Sequence, residues 1–305
     1  MTPPVTAGAP TAERVLPVPG GLASGPLRRF LLAHVVPGAE RHDAATGTHE
    51  RVVPTGAGPV VAAVVLGTAE RGGQVLVRAS APVLDEVCAV VRRWLDLDGE
   101  VAAAEAHLGA DAELAPLVAA RPGLRVPRAV CGAETALLTV LGQQVSLAAA
   151  RTFAGRLVAA HGEPVAGGLR AFPAPAALAA AGPEALRAVT GVTGARSRTL
   201  HALAGLLAGG LDLDAARAAG EGALARERLL ALPGVGPWTA DYVALRALGD
   251  DDAFLPGDLV LRKAMGGVSP AAALARARPW RPWRGYALLH LWTARVFAAP
   301  PVPTT

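Results

Sequence analysis

The chain has 305 residues, 52% hydrophobic and 18% charged, so it holds enough apolar material for a packed core, and global disorder is excluded. Its formal charge is +4, carried almost wholly by arginine because Lys263 is the only lysine, a balance compatible with a nucleic-acid partner. Two cysteines, Cys88 and Cys131, exclude a four-cysteine zinc or iron–sulfur site and a disulfide framework. No apolar run approaches the roughly 18 residues of a membrane span. Prolines and Glu13 stand where a secretory leader would have a basic start and an apolar stretch, so a soluble cytoplasmic protein is expected. Division by about 150 residues per domain suggests two domains.

Residues 1–24, rich in Pro, Gly, Ala and Thr without an apolar period, read as disordered. Gly25–Val36 reads as a short helix with Leu27, Phe30, Leu31 and His34 near one face. Three strand-like runs follow, Glu50–Val53, Val60–Leu66 and Gln74–Ala79, the last two joined by the hairpin candidate GTAERGG. Pro82–Leu97 repeats apolar residues at three- and four-residue spacing and closes a small α+β domain over 25–105. Beyond it only helical patterns appear: Ala133–His161, Pro175–Ala181, Pro183–Val189, Ser197–Ala208, Leu213–Ala219, Gly222–Ala231, Pro237–Leu248, Leu259–Met265 and Arg284–Phe297. The bulk of the chain is therefore read as all-α, with glycine and proline at the junctions.

The most informative segment runs from Leu230 to Lys263. Helix Gly222–Ala231 ends at Leu232-Pro233, Gly234-Val235-Gly236 makes a tight turn, and Pro237 takes the first helical position, where its missing N–H is no loss. Two glycines around Val235 allow positive φ and remove Cβ atoms that would block another backbone. The free N–H groups of the next helix, with its dipole, then form an anion site able to grip a DNA phosphate without reading sequence. A compact turn between two packed helices is the alternative reading of LPGVG. Asp258 follows 22 residues after Gly236, in FLPGD before the run LVLRKAM. A helix N-cap explains an aspartate at that place, and Asp250, Asp251 and Asp252 read as a solvated acidic turn.

Hairpin, helix, loop and Pro-Gly-Asp together resemble the helix–hairpin–helix Gly/Pro/Asp superfamily of DNA base-excision glycosylases, and within it the DNA-3-methyladenine glycosylase II branch. The likeness extends over Ala119–Pro127, Leu138–Ala150, Phe172–Ala181, Leu232–Leu248, Phe254–Leu259 and Pro282–Trp292, in the family's order, covering 25–298. It implies an α+β, mainly α fold, in which a small antiparallel-sheet domain (25–105) precedes an all-helical helix–hairpin–helix glycosylase fold. In this division 133–250 is a central helical domain holding the hairpin, 106–132 with 251–298 is a second helical layer, and 299–305 is a tail.

The resemblance also implies a monofunctional enzyme that flips alkylated purines out of duplex DNA and hydrolyses the N-glycosidic bond, starting base excision repair. A glycosylase for oxidised or deaminated bases and a non-catalytic DNA-binding protein are the competing readings. Asp258 is the expected catalytic carboxylate, stabilising an oxocarbenium-like sugar and activating water. Phe30, Trp238, Tyr242, Trp292 and Leu259 match positions of the base pocket, where aromatic faces hold electron-poor bases. Gly234, Val235, Gly236, Thr239, Gln143 and Gln144 are expected at the DNA, Gln144 filling the gap left by the flipped base. A monovalent cation on the hairpin backbone over 232–237 is the one metal expected, and no organic cofactor. Family members that also cut the strand carry a lysine where Trp238 stands, and Lys263 better suits a surface or phosphate role. Arg246 and Arg262 read equally as phosphate contacts or as part of a solvated face. Trp280, Trp283, Tyr286 and His290 read as structural. The expected partner is damaged duplex DNA, bound by a monomer at the nucleoid.

Overall fold

The computed structural model describes residues 11–67 and 73–296. Its N-terminal part is an antiparallel sheet of five strands: β1 (Thr11–Pro17), β2 (Glu40–Asp43), β3 (Thr48–Val53), β4 (Val60–Leu66) and β5 (Gln74–Ser80), in spatial order β1-β5-β4-β3-β2. The cross-strand pairs Val64–Val77 and Leu66–Val75 put four buried side chains on one face. Helix α2 (Leu84–Trp94) covers that face with Leu84, Val87, Cys88, Val91 and Trp94, and its dipole is matched by Asp85 and Glu86 at the start and Arg92 and Arg93 at the end. Helix α1 (Ser24–Ala33) buries Leu27 and Leu31 in the sheet's core and Phe30 in the helical core.

The disorder expected over 1–24 is corrected from Thr11 onward, where β1 pairs with β5 from Thr11–Ser80 to Pro17–Gln74. Its seven residues bury only Leu16, so backbone pairing and the ion pairs Glu13–Arg78 and Arg14–Asp85 hold the strand, and the apolar alternation is missing. Residues 1–10 lie outside the described residues, as do 68–72 of the expected hairpin, Phe297 and the tail. Strand β2 also went unread, because its inward residue is charged: Glu40 pairs with Arg51 across the ladder, and both are buried.

The helical part comprises α3 (Val101–Leu108), α4 (Ala115–Ala119), α5 (Gly132–Leu141), α6 (Leu147–His161), α7 (Pro175–Thr190), α8 (Gly194–Ala208), α9 (Leu213–Ala218), α10 (Gly222–Leu230), α11 (Pro237–Val243), α12 (Leu259–Ala264), α13 (Pro270–Arg276) and α14 (Arg284–Arg295). Helix α5 is the central post, packing on α6, α8, α9 and α11 with Ala136, Leu137, Val140 and Leu141 fully buried. The single helix expected over 133–161 is two, because Gln144 takes φ +52° and breaks the run after Gly142. Ser146 caps α6 by accepting from Ala149 N–H at 3.2 Å.

The two parts are tied by the buried guanidinium of Arg128. It reaches Asp96 beyond α2 at 3.3 Å, the Leu245 carbonyl at 2.8 Å, and Asp251. Asp96 also accepts from the Tyr286 hydroxyl on α14 at 2.7 Å. Asp251 and Asp252 are thus not a solvated turn: the first compensates a buried cation, and the second pairs with Arg281 and Arg284.

Candidate active site

Helix α11 begins at the hairpin and carries Trp238 and Tyr242 four residues apart, hence on one face. Their rings stack at 5.3 Å and 14°, and Trp292 of α14 meets Tyr242 at 6.2 Å and 42°. Asp258 is the N-cap of α12, its Oδ1 accepting from Leu261 N–H at 2.8 Å. The same oxygen accepts from Trp292 Nε1–H at 2.9 Å, and Oδ2 accepts from Trp238 Nε1–H at 3.0 Å. The cap and the site are therefore one carboxylate. Three donors fix it and leave about one of its four lone-pair positions open, on Oδ2.

These side chains line a cavity of about 1000 Å³. Of the residues expected at the site, Asp258, Phe30, Trp238, Tyr242, Trp292, Leu259, Gly234, Gly236, Thr239, Gln143 and Gln144 all border it. Val235 does not; its side chain is buried in the helical core and anchors the turn from behind. Gln143 donates to the Gly234 carbonyl and to Thr239 Oγ1, both at 3.0 Å, so it braces the hairpin. Gln144 is exposed at the rim, as is Leu259.

The hairpin glycines do different work, and only one uses the positive φ that glycine allows. Gly234 has φ +86°, and a Cβ there would overlap Thr199 Oγ1. Gly236 has φ −93° and open space where its Cβ would stand. The first hydrogen bond of the α11 ladder is Ala240 N–H to Gly236 O at 3.1 Å, so the amides of Gly236, Trp238 and Thr239 stand ahead of it at the positive helix end.

Several lining residues were not foreseen. Arg246 is not on a solvated face. It is buried in a π-helical turn over 244–248 that prolongs α11, and it donates to Tyr242 Oη at 2.6 Å. Its guanidinium carbon lies 4.7 Å from the Phe30 ring centre. The spacing Trp238, Tyr242, Arg246 was a readable four-residue stripe. His34 stacks on Phe30 at 4.1 Å; burial, helped by the charge of Arg246, pushes its pKa down to about 4 and keeps the ring neutral. Deeper, Arg51 meets Glu40 at 3.1 Å and Glu134 of α5 at 2.7 Å. Burial opposes the charge on Arg51, but the two carboxylates outweigh it and raise its pKa. Burial raises Glu134, while Arg51 and His49 overcome burial to lower Glu40. Lys263 is exposed and does not border the cavity.

Two family models match the chain: the AlkA N-terminal domain over residues 14–131, and the HhH-GPD superfamily base excision DNA repair protein over 137–274. A relative from Mycobacterium tuberculosis, "Probable bifunctional transcriptional activator/DNA repair enzyme AlkA", is 42% identical over 299 residues, covering 94% of this chain and 58% of that protein. The chain thus spans little more than half the length of that relative. "DNA-3-methyladenine glycosylase 2" of Escherichia coli is 36% identical over 213 residues, covering 69% of this chain and 72% of that protein. Among solved structures, "3-methyladenine dna-glycosylase from Archaeoglobus fulgidus" superposes with a TM-score of 0.77 at 20% identity, over 94% of this chain and 100% of the other, which shows a shared fold.

Proposed function

Because the chain belongs to the family of DNA-3-methyladenine glycosylase 2, with the helix–hairpin–helix architecture of base excision repair proteins, we propose that it is a monofunctional DNA glycosylase for alkylated purines. A base inside a duplex cannot be reached, so the nucleotide is turned out into the cavity at a cost of a few kcal/mol of unstacking. The amides at the start of α11, opened by the absent Cβ of Gly236, hold the phosphate of the strand. Gln144 and the apolar rim residue Leu259 stand at the gap.

An alkylated purine carries positive charge and leaves with the electron pair of its C1′–N bond, becoming neutral without a strong general acid. The positive charge then develops on the sugar. Asp258, held by two indole N–H groups and a backbone amide, is placed against it, and its open Oδ2 position accepts the proton of the water that attacks C1′. Trp238, Tyr242 and Trp292 offer π faces to an electron-poor base, each contact contributing roughly 0.5–2 kcal/mol. With an indole where a strand-cutting enzyme needs an amine, no Schiff base forms at position 238, and the abasic product stays intact.

The carbonyls of Leu232, Pro233 and Gly234 each accept one hydrogen bond and keep a second lone pair. That oxygen-only donor set fits a hard monovalent cation, which would add positive charge between hairpin and phosphate. The reading is of a monomer on duplex DNA, with the cavity lined from Phe30 of α1 to Trp292 of α14. No helix among the described residues is long and apolar enough to cross a membrane, in keeping with action at the nucleoid.

The observation that carries the reading is the carboxylate of Asp258 clasped by two tryptophans at the cavity wall. The test is release of 3-methyladenine and 7-methylguanine from alkylated duplex DNA, with a strand-nicking control. Wild type is expected to release both without nicking. Asp258→Asn keeps the cap, since Asn and Asp cap equally well, and should lose at least a hundredfold in rate while still binding DNA. Release unchanged in the variant would refute the assignment.

A further inference from the structure

We propose that Arg196 is a positioning residue for base eversion: from α8 it holds the peptide unit between Gln143 and Gln144, and so keeps Gln144 in the left-handed conformation that presents it to the gap in the duplex. The inference rests on the glycosylase reading, in which Gln144 stands at that gap, and adds the group that keeps it there.

Gln144 is the anomaly from which it starts. Among the described residues only two other than glycine have positive φ, Asp96 at +56° and Gln144 at +52°. Aspartate tolerates that region, and Asp96 is tied besides by Arg128 and Tyr286. Glutamine has no such tolerance, and a backbone strained in this way persists only where its surroundings over-determine it, most often at functional sites. The side chain of Gln144 gives no help: it is exposed, borders the cavity, and makes no hydrogen bond among the described residues.

The restraint comes from the neighbour. The φ of Gln144 is set by the planar peptide unit it shares with Gln143, so a bond that fixes the Gln143 carbonyl restrains that angle. This carbonyl accepts from Arg196 Nη2–H, a charge-assisted hydrogen bond. The rest of Gln143 is held as well: its N–H donates to Val140 O at 3.3 Å, and Nε2 donates to Gly234 O and Thr239 Oγ1, both at 3.0 Å. Arg196 is in turn a fixed post. It is the third residue of α8, its N–H donates to Oγ1 of the cap Thr193 at 3.3 Å, and the helix behind it buries Leu200, Leu203 and Ala204. Thr199, three residues on and so on a neighbouring part of the same face, donates to Pro233 O of the hairpin at 3.1 Å. One helix therefore braces both the hairpin and the turn that carries Gln144. Among the described residues no carboxylate pairs with Arg196, and the Gln143 carbonyl is the acceptor its guanidinium has.

The test is a double-mutant cycle on the single-turnover rate of 7-methylguanine release from duplex DNA, with Arg196→Met, Gln144→Ala and the pair, each checked by thermal unfolding. Arg196→Met is expected to lose about tenfold, as Gln144→Ala does, and the pair no more than about twofold beyond Gln144→Ala. A merely structural role lowers the rate by the same factor with or without the Gln144 side chain, which overturns the proposal. So does a direct phosphate contact by Arg196, which also reduces the slope of log Kd against log salt by about one, a slope that the proposal leaves unchanged. Release at the wild-type rate by either single variant overturns it too. Should Arg196→Met fail to fold, Arg196→Gln takes its place in the cycle. A second readout needs no catalysis: a duplex in which a 2′-fluoro sugar keeps 7-methylguanine from leaving and 2-aminopurine is the neighbouring base. Saturating wild type is expected to raise the 2-aminopurine fluorescence as the stack opens, and Arg196→Met to raise it at least about threefold less. Equal enhancement, or none with either protein, overturns the proposal. No release of base by the wild type, with the difference in fluorescence present, overturns the glycosylase reading and leaves the positioning role standing.

Discussion

The two hairpin glycines should separate folding from DNA binding. At Gly234 the backbone is left-handed at φ +86°, a region that costs a residue with Cβ about 1–2 kcal/mol. The new methyl would also overlap Thr199 Oγ1 and approach Thr199 Cβ at 3.1 Å and Cγ2 at 3.2 Å, so rotating the threonine brings no relief. Displacing Thr199 breaks its hydrogen bonds to Pro233 O at 3.1 Å and Ala195 O at 3.2 Å, each contributing about 0.5–1.5 kcal/mol. Gly234→Ala is therefore expected to destabilise the protein by about 3–5 kcal/mol, the overpacking lying within the usual range. At Gly236 the φ of −93° suits any residue and nothing lies within 4 Å of the added atom. Gly236→Ala should change stability by no more than about 0.5 kcal/mol, the entropy gained in the unfolded chain roughly offsetting a poorer cap. Its Cβ would instead stand in the approach of the phosphate backbone and weaken duplex binding at least tenfold. Urea unfolding and fluorescence anisotropy with a labelled duplex give both numbers. Wild-type DNA affinity in Gly236→Ala, or equal destabilisation by the two substitutions, would refute the division of labour.

Arg128→Met should cost about 3–5 kcal/mol in urea unfolding, because Asp96 and Asp251 are left as uncompensated carboxylates at the junction of sheet and helices; a loss below about 1 kcal/mol would contradict the clamp. Burial pushes the pKa of both His34 and His290 down to about 4. The unfolded chain, with histidines near 6.5, then binds more protons between pH ~6.5 and 4, so stability falls as pH drops through that window and levels off below it. Each histidine accounts for about 2–3 kcal/mol of that fall, and the urea midpoint should drop less between pH 7 and 4.5 in His290→Gln than in wild type. An equal drop counts against the buried neutral ring.

Much of the fold was legible where local pattern and tertiary role agree. Strands β4 and β5 alternate buried and less buried residues, and α2 repeats its apolar face at helical spacing, so these could be read directly. Where charged groups are buried the pattern inverts. Glu40 and His49 point inward, and His49 Nε2–H donates to the Glu40 carboxylate at 3.0 Å, so the edge near β2 looks like a loop. Gly142 caps α5, but a single glycine in an apolar helical run is often tolerated, and the break that Gln144 completes goes with the hairpin brace made by Gln143. At the site, Asp258 was visible because the cap of α12 and the chemistry proposed for it call for one residue at one spacing. Arg246 was within reach, since a residue four after Tyr242 shares its face; its burial was not, because that depends on Phe30 and Pro127 from distant parts of the chain. The meeting of Arg51 with Glu134, 83 positions apart, has no local signature at all.

The central claim is that the Asp258 carboxylate stabilises positive charge at C1′ of an everted nucleotide. It is tested most directly by affinity for a duplex holding a pyrrolidine residue, cationic where the sugar's C1′ would be, against the same duplex with neutral tetrahydrofuran. Wild type is predicted to bind the cationic site at least tenfold tighter, and Asp258→Asn to bind the two alike. Equal affinity in the wild type, or an undiminished preference in the variant, would contradict the account.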